Sequence, residues 1–440
     1  MSITRTAASE GRLSAVAAAA WLPHTCFKNG PPRRVGIELE LLVHDRRDPS
    51  APTDGAERDR VRHEAARLPT AGRVTVEPGG QLEISSSPHP DLASAVHETS
   101  GDLKVLQHLA HTHDLRLVGR GVDDRDVARR VLADERYAQM EHYLDRWAPA
   151  GRTMMRRTAS VQVNVEASDG SPGEADRRWT LLHAVGPALV AAFANSPGTP
   201  GSPWAGWACA RMGVWLALDP ARTSEPRPLP GESVADAWSR WCLDAPLLLV
   251  RRPQGPWTAP PATFREWLHG GRDVVPGRPG PDVDDLAYHL TTLFPPVRAR
   301  GHLEVRYVDA QPGPWWVVPA AVLWVLATDP DAGAQALRAC AETSSRDDRW
   351  VAAARDGLRD DGLARAACGV LSAAATALAA DPTGRAWADP VAAYRERWTA
   401  RRRSPGDDPP ADVTPLPPVP RAGPLPGPSP RRPLPESESS

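Results

Sequence analysis

The sequence predicts an α+β fold: an antiparallel sheet with helices on one face and a polar cavity on the other. Three observations predict it. Four separated stretches alternate with period two, Val35–Val43, Gln81–Ser85, Thr158–Glu166 and His302–Tyr307. Residues i and i+2 share a strand face, so each stretch has an apolar side and a polar side. The polar sides carry chosen groups: Glu38 and Glu40; Gln81 and Glu83; Gln162 and Asn164; Glu304 and Arg306. Between and after these stretches lie Ala- and Leu-rich segments with helical spacing.

In chain order, a short Ala-rich helix over Leu13–Leu22 precedes Pro31-Pro32 and the first strand. A helix over Ala56–Leu68 follows. Arg73–Glu77 and Gln81–Ser85 read as a hairpin about Pro78-Gly79-Gly80. Leu92, Val96, Leu103, Leu106 and Leu109 predict a helix over 91–113, then a strand over Leu115–Gly119 and a helical segment over 125–147. After the Thr158–Glu166 strand comes a helix over Arg177–Asn195, stopped by Ser196-Pro197-Gly198. Residues 196–232, rich in Pro, Gly and Trp, predict a long ordered loop with a helix inside. Further helices are expected over 234–249, 263–269, 282–293, 315–327, 331–344, 347–359, 361–380 and 388–402. Residues 1–403 read as a single domain. Residues 404–440 read as a Pro-rich disordered tail, because apolar periodicity stops there.

Composition narrows the function. Net charge is −2 and no basic stripe stands out, which argues against nucleic acid as a partner. Lysine occurs only at Lys28 and Lys104, so any phosphate would be met by arginine or metal. The five cysteines are scattered and form no C-x-x-C, so neither a disulfide framework nor a zinc site is expected. No signal-peptide pattern and no apolar run of membrane-spanning length is read. The expectation is a cytoplasmic monomer with no membrane partner.

Taken alone, Glu38 and Glu40 fit a solvated surface strand as well as a site. Four polar faces on one sheet are different. A cavity holding Glu38, Glu40, Glu77, Glu83 and Glu304 would not stay ionised without cations. Oxygen-preferring Mg²⁺ or Mn²⁺ would resolve it, and Mg²⁺ commonly shares its coordination with substrate phosphates. The chemistry indicated is metal-assisted phosphoryl transfer. There is no P-loop and no G-x-G-x-x-G after a strand. His108, His111 and His113 are read as the polar end of a helix, and Cys26 as a buried free thiol.

The residues then meet a resemblance. Val35-Gly36-Ile37-Glu38-Leu39-Glu40, Val76 through Ser85, Met154-Met155 with Thr158 through Asn164, Ala194 through Pro197, Asp219 through Thr223, and Gly301 through Tyr307 with Asp309 resemble the glutamate–cysteine ligase family of carboxylate–amine ligases. The likeness is greatest to the branch serving ergothioneine biosynthesis. It implies a glutamine-synthetase-like antiparallel sheet forming a funnel-shaped active site, packed with helices. It implies ATP, Mg²⁺, L-glutamate and L-cysteine as ligands, and γ-glutamyl phosphate as the intermediate. It implies metal ligation by Glu38, Glu40, Glu83 and Glu304, with Glu77 a further candidate. Arg306 would stabilise the transferring phosphoryl. Gln162 and Asn164 would meet metal-bound groups or nucleotide, and Arg211 and Arg222 would hold phosphate or the glutamate carboxylate. The alternatives are a related ligase with a different amine acceptor, or a non-catalytic ATP- and Mg²⁺-binding protein.

Overall fold

A computed structural model of the chain describes residues 12–30, 33–51, 55–125, 130–252 and 257–416. Among these, seven strands form one antiparallel sheet: β1 (Val35–Asp45), β2 (Arg73–Val76), β3 (Leu82–Ser85), β4 (Leu115–Val118), β5 (Ser160–Val165), β6 (Val297–Ala299) and β7 (Leu303–Asp309). Their order is β2-β3-β1-β5-β7-β6, with β4 paired to the second half of β1. All four alternating stretches are strands, and β1, β5 and β7 lie side by side at the centre. β6 is a strand that the sequence reading left out. Its three residues follow Pro295-Pro296 and are too short to show a period.

The apolar side of the sheet forms the core. Val35, Ile37, Leu39, Leu41, Val163 and Val305 belong to one buried cluster. Helices α1 (Ala15–Cys26), α2 (Leu92–Thr112), α3 (Glu174–Ala192), α4 (Val317–Thr328), α5 (Asp361–Ala380) and α6 (Ala388–Arg397) add buried residues to the same cluster; α2, α3 and α4 pack on the strands, and α5 and α6 pack behind on the helical layer. α4 is buried from Val317 to Ala327, so it shows no amphipathic stripe. α5 starts at Asp360, whose carboxylate accepts from Leu363 N at 2.9 Å, and its Ala-rich sequence favours the helix. By length and composition α5 could cross a membrane, contrary to the expectation that no segment reaches that length. Half of it is buried against α3 and α6, as in the core helix of a globular domain.

Two boundaries move. The segment read as helical over 125–147 is helical only from Glu135, and residues 126–129 lie outside the described set. The tail expectation over 404–440 is too early for its first part. Ser404 and Val413 are buried, Asp412 bridges to Val118, and Val413 bridges to Gly313. Trp316 Nε1 donates to Thr414 O at 3.0 Å, and Leu416 N to Ser100 Oγ at 2.9 Å. Backbone pairing holds this strap in place, and it needs no apolar period. The tail beyond 416 lies outside the described residues.

Candidate active site

β1, β3 and β5 align the predicted groups. Glu40 stands opposite Glu83 across β1–β3, and Glu38 stands opposite Gln162 across β1–β5. Asn164 stands opposite Glu304 across β5–β7. Gln162 Nε2 donates to Glu40 Oε1 at 2.8 Å, and Asn164 Nδ2 donates to Glu38 Oε1 at 2.9 Å. Thr75 and Ser85 hydroxyls donate to Glu83 Oε1 at 3.1 and 2.9 Å. Glu77 is placed by the turn after β2. Gly80 takes φ +89°, and a Cβ at Gly79 would lie 1.9 Å from Arg156 O, so both positions require glycine. Gln81, though on the alternating stretch, is structural: its Nε2 donates to Thr158 O at 2.8 Å.

Burial governs the charge of these carboxyls. Desolvation, then repulsion from Glu304 and Glu83, lifts Glu38 to about 7. Desolvation, then Glu83 and Glu40, lifts Glu77 to about 8. Glu40 and Glu83 are also raised, first by burial. Glu304 goes the other way. It is the one of the five that is fully buried, but Arg298, Arg306 and Arg300 more than offset the desolvation and hold it well below the usual carboxylate range. Arg298 grips both oxygens, donating from Nε to Oε2 and from Nη2 to Oε1. Arg306 Nη1 bridges Glu304 Oε1 at 3.1 Å and Gln162 Oε1 at 2.6 Å. Its guanidinium carbon lies 5.8 Å from the Trp215 ring centre and 6.0 Å from that of Phe294.

The two remaining arginines are buried, not surface groups. Arg211 Nη2 donates to Arg306 O at 2.9 Å, and its charge lowers the pKa of Glu40, so it borders the cavity. Arg222 is committed elsewhere. It donates to Thr292 O and Oγ1 at 3.2 and 3.1 Å and to Pro246 O, and Asp219 lies 3.3 Å from its Nε. Arg222 thus braces backbone carbonyls and has little left for a phosphate.

Sequence reasoning missed Arg298 and gave Asp309 no role. Buried Asp309 accepts from Asn195 N at 2.8 Å and Ser196 Oγ at 2.6 Å, and lies 3.9 Å from Arg211 Nη1. A bulge, with Arg306 and Tyr307 of β7 against the single Gln162 of β5 between the pairs Val161–Val308 and Val163–Val305, takes Asp309 out of the alternation of Glu304 and Arg306. Asn195-Ser196 and Asp309 were visible as motif residues, but nothing local says they meet.

With this geometry, similarity becomes informative. The model of glutamate-cysteine ligase family 2 (GCS2) matches residues 34–403. The chain belongs to the glutamate–cysteine ligase family. It is 37% identical over 397 residues to the glutamate–cysteine ligase EgtA of Mycolicibacterium smegmatis, covering 90% of each chain. It is 35% identical over 364 residues to EgtA of Mycobacterium tuberculosis, covering 82% of each. The crystal structure of a glutamate–cysteine ligase from Francisella tularensis in complex with AMP matches with a TM-score of 0.51 at 13% identity, over 86% of this chain and 84% of that one. That likeness concerns the fold alone.

Every donor on this family member's cavity face is a hard oxygen or an amide, which suits Mg²⁺ or Mn²⁺ and not a soft metal. Asn164 Oδ1 is buried without a hydrogen-bond partner on that face. As placed, no three His, Cys, Asp or Glu among the described residues close on one point, so a cation would draw the glutamates together. Glu304 would join only by releasing one arm of the Arg298 fork.

The raised carboxyls have a consequence in cation-free buffer. Folded Glu38 and Glu77 keep protons that the unfolded chain releases, so their contribution to stability is complete below about pH 4.5 and lost as pH rises through 7 to 8. The melting temperature in chelator should fall by roughly 5 °C between pH 5 and pH 8.5. Glu38→Gln should flatten that fall; an unchanged slope would assign the titration elsewhere.

Proposed function

We propose that the chain joins the γ-carboxylate of L-glutamate to the amine of L-cysteine at the expense of ATP, giving γ-glutamylcysteine for ergothioneine biosynthesis. The observation that carries this reading is the cavity face itself, on a chain of this family. Four half-buried carboxyls with raised pKa stand beside Arg306, which is already set between Glu304 and Gln162. The EgtA relatives, aligned over most of their length, support the choice of substrates.

The γ-carboxylate oxygen of glutamate attacks the γ-phosphorus of ATP, and the bond to the ADP oxygen breaks. The cysteine amine then attacks the acyl carbon, phosphate leaves, and the nitrogen loses a proton. No protein nucleophile is needed, and alignment and charge neutralisation do the work. Glu38, Glu40, Glu77 and Glu83, with Glu304 in reach, would hold Mg²⁺, which would supply positive charge for the transferring phosphoryl. Arg306 meets the charge developing on the transferring phosphoryl. Gln162 and Asn164 fix the orientation of Glu40 and Glu38. Arg211, backed by Asp309, faces the anionic end of glutamate. Arg222 serves that end only by bracing the loop around Thr292.

The setting we propose is a monomer in the cytoplasm, in keeping with five unpaired cysteines, four of them buried. The test is purified protein with ATP, Mg²⁺, L-glutamate and L-cysteine. The expected result is γ-glutamylcysteine by chromatography and ADP release that depends on cysteine. ADP release with an acceptor other than cysteine would change the substrate, and no ADP release with any acceptor would overturn the reaction.

A further inference from the structure

β6, β7 and their turn bring three arginines to one carboxylate. Two are spent. Arg298 is buried and has its remaining Nη1 on Leu293 O at 3.1 Å, while Arg306 is shared between Glu304 and Gln162. Arg300 differs. Its side chain is 45% exposed, and its Nη1 stands 3.7 Å from Glu304 Oε1, beyond hydrogen-bond length. Arg300 directly follows β6 and His302 directly precedes β7, and both lie near Glu304, so the turn carries the cavity face on towards its rim.

The turn explains the placement. Arg300 N donates to His302 O at 2.8 Å, and Gly301 closes the reversal at φ +86°. Gly301 N donates to Cys26 O at 2.8 Å, which ties the turn to the end of α1. Lys28 therefore lies against it, its Cδ 3.3 Å from where a Gly301 Cβ would be. Lys28 is exposed and is one of two lysines in the chain. Among the described residues, neither cation has an ion pair apart from the loose Arg300 contact. Glu304 cannot balance them, because Arg298 already neutralises it.

We propose that Arg300, with Lys28 beside it, holds the phosphate chain of the nucleotide at the β6–β7 rim, next to the carboxylates and Arg306. A polyphosphate supplies the several anionic oxygens that two unpaired cations on one rim can bind, and arginine can meet two of them at once. The inference rests on the ATP-dependent reading of the same cavity, and it replaces Arg222 as a phosphate contact.

The experiment is calorimetric titration of the full chain with Mg·ATP, tripolyphosphate, adenosine and L-glutamate, without turnover. Arg300→Gln should weaken Mg·ATP and tripolyphosphate about tenfold, the scale of one charge-assisted contact. Adenosine and L-glutamate should bind as in the wild type. Lys28→Gln should give a smaller loss, about threefold, and Arg300→Lys should recover part of the Arg300→Gln loss. In turnover, KM for ATP should rise with kcat little changed. Equal Mg·ATP affinity in the wild type and Arg300→Gln overturns the assignment while leaving the ligase reading intact. A wild type that binds no Mg·ATP overturns both. Should Arg300→Gln melt early, Arg300→Lys carries the comparison, with an expected loss of about threefold.

Discussion

Glu38→Gln should lower turnover by at least about 10³-fold, roughly 4 kcal/mol of transition-state stabilisation, in a protein that still folds. The amide keeps the size of the side chain and can still pair with Asn164, whose Nδ2 now donates to Glu38 Oε1 at 2.9 Å. What it removes is a charge that burial already makes costly. The variant should therefore melt no earlier than the wild type at neutral pH. Product formation under saturating substrates, with the melting curve beside it, decides the matter. A variant retaining near-native rate would remove Glu38 from the cation set. Glu304→Gln should abolish turnover to a similar extent but should also lower the melting temperature. It leaves the buried Arg298 guanidinium without its anion, a loss of about 3–5 kcal/mol for a broken buried pair.

Arg306→Lys is the second large effect. One Nη1 of Arg306 reaches both Gln162 and Glu304, beneath the Trp215 and Phe294 rings. Lysine keeps the positive charge but not the planar fork, so the group at the phosphoryl position loses its fixed direction. The expected fall is about 10²- to 10³-fold in kcat, with KM for ATP changed less than threefold. A variant that raised KM and left kcat untouched would make Arg306 a binding group, not a transition-state one.

The site was legible where the period of a strand did the work. Glu38, Glu40, Gln162, Asn164, Glu304 and Arg306 announce themselves because side chains alternate and their apolar neighbours must be buried. What was hidden depends on register between distant strands. Arg298 meets Glu304 only because β6 pairs with β7, and a three-residue strand after two prolines carries no period. Asp309 was hidden by a bulge, which breaks the count of two. Arg222 sat in a suggestive motif, yet its donors go to carbonyls of loops far along the chain. The fold class was legible for the same reason as the site, while α4, apolar on all sides, could be placed inside the core but not oriented. The strap over 404–416 was missed because backbone bridges leave no mark on side-chain composition.

That strap has a consequence for how the molecule is made. Leu416 bonds to Ser100 across 316 residues of sequence. Closing so long a loop costs little more than closing one half its length, because the entropy grows only with the logarithm. Timing is the greater constraint. During synthesis β4 and α2 leave the ribosome long before residues 404–416 exist, so the edge at Val118 stays open until that strap has been made. A chain released early, short of Val413, would carry the cavity residues but expose a sheet edge that invites pairing with another copy.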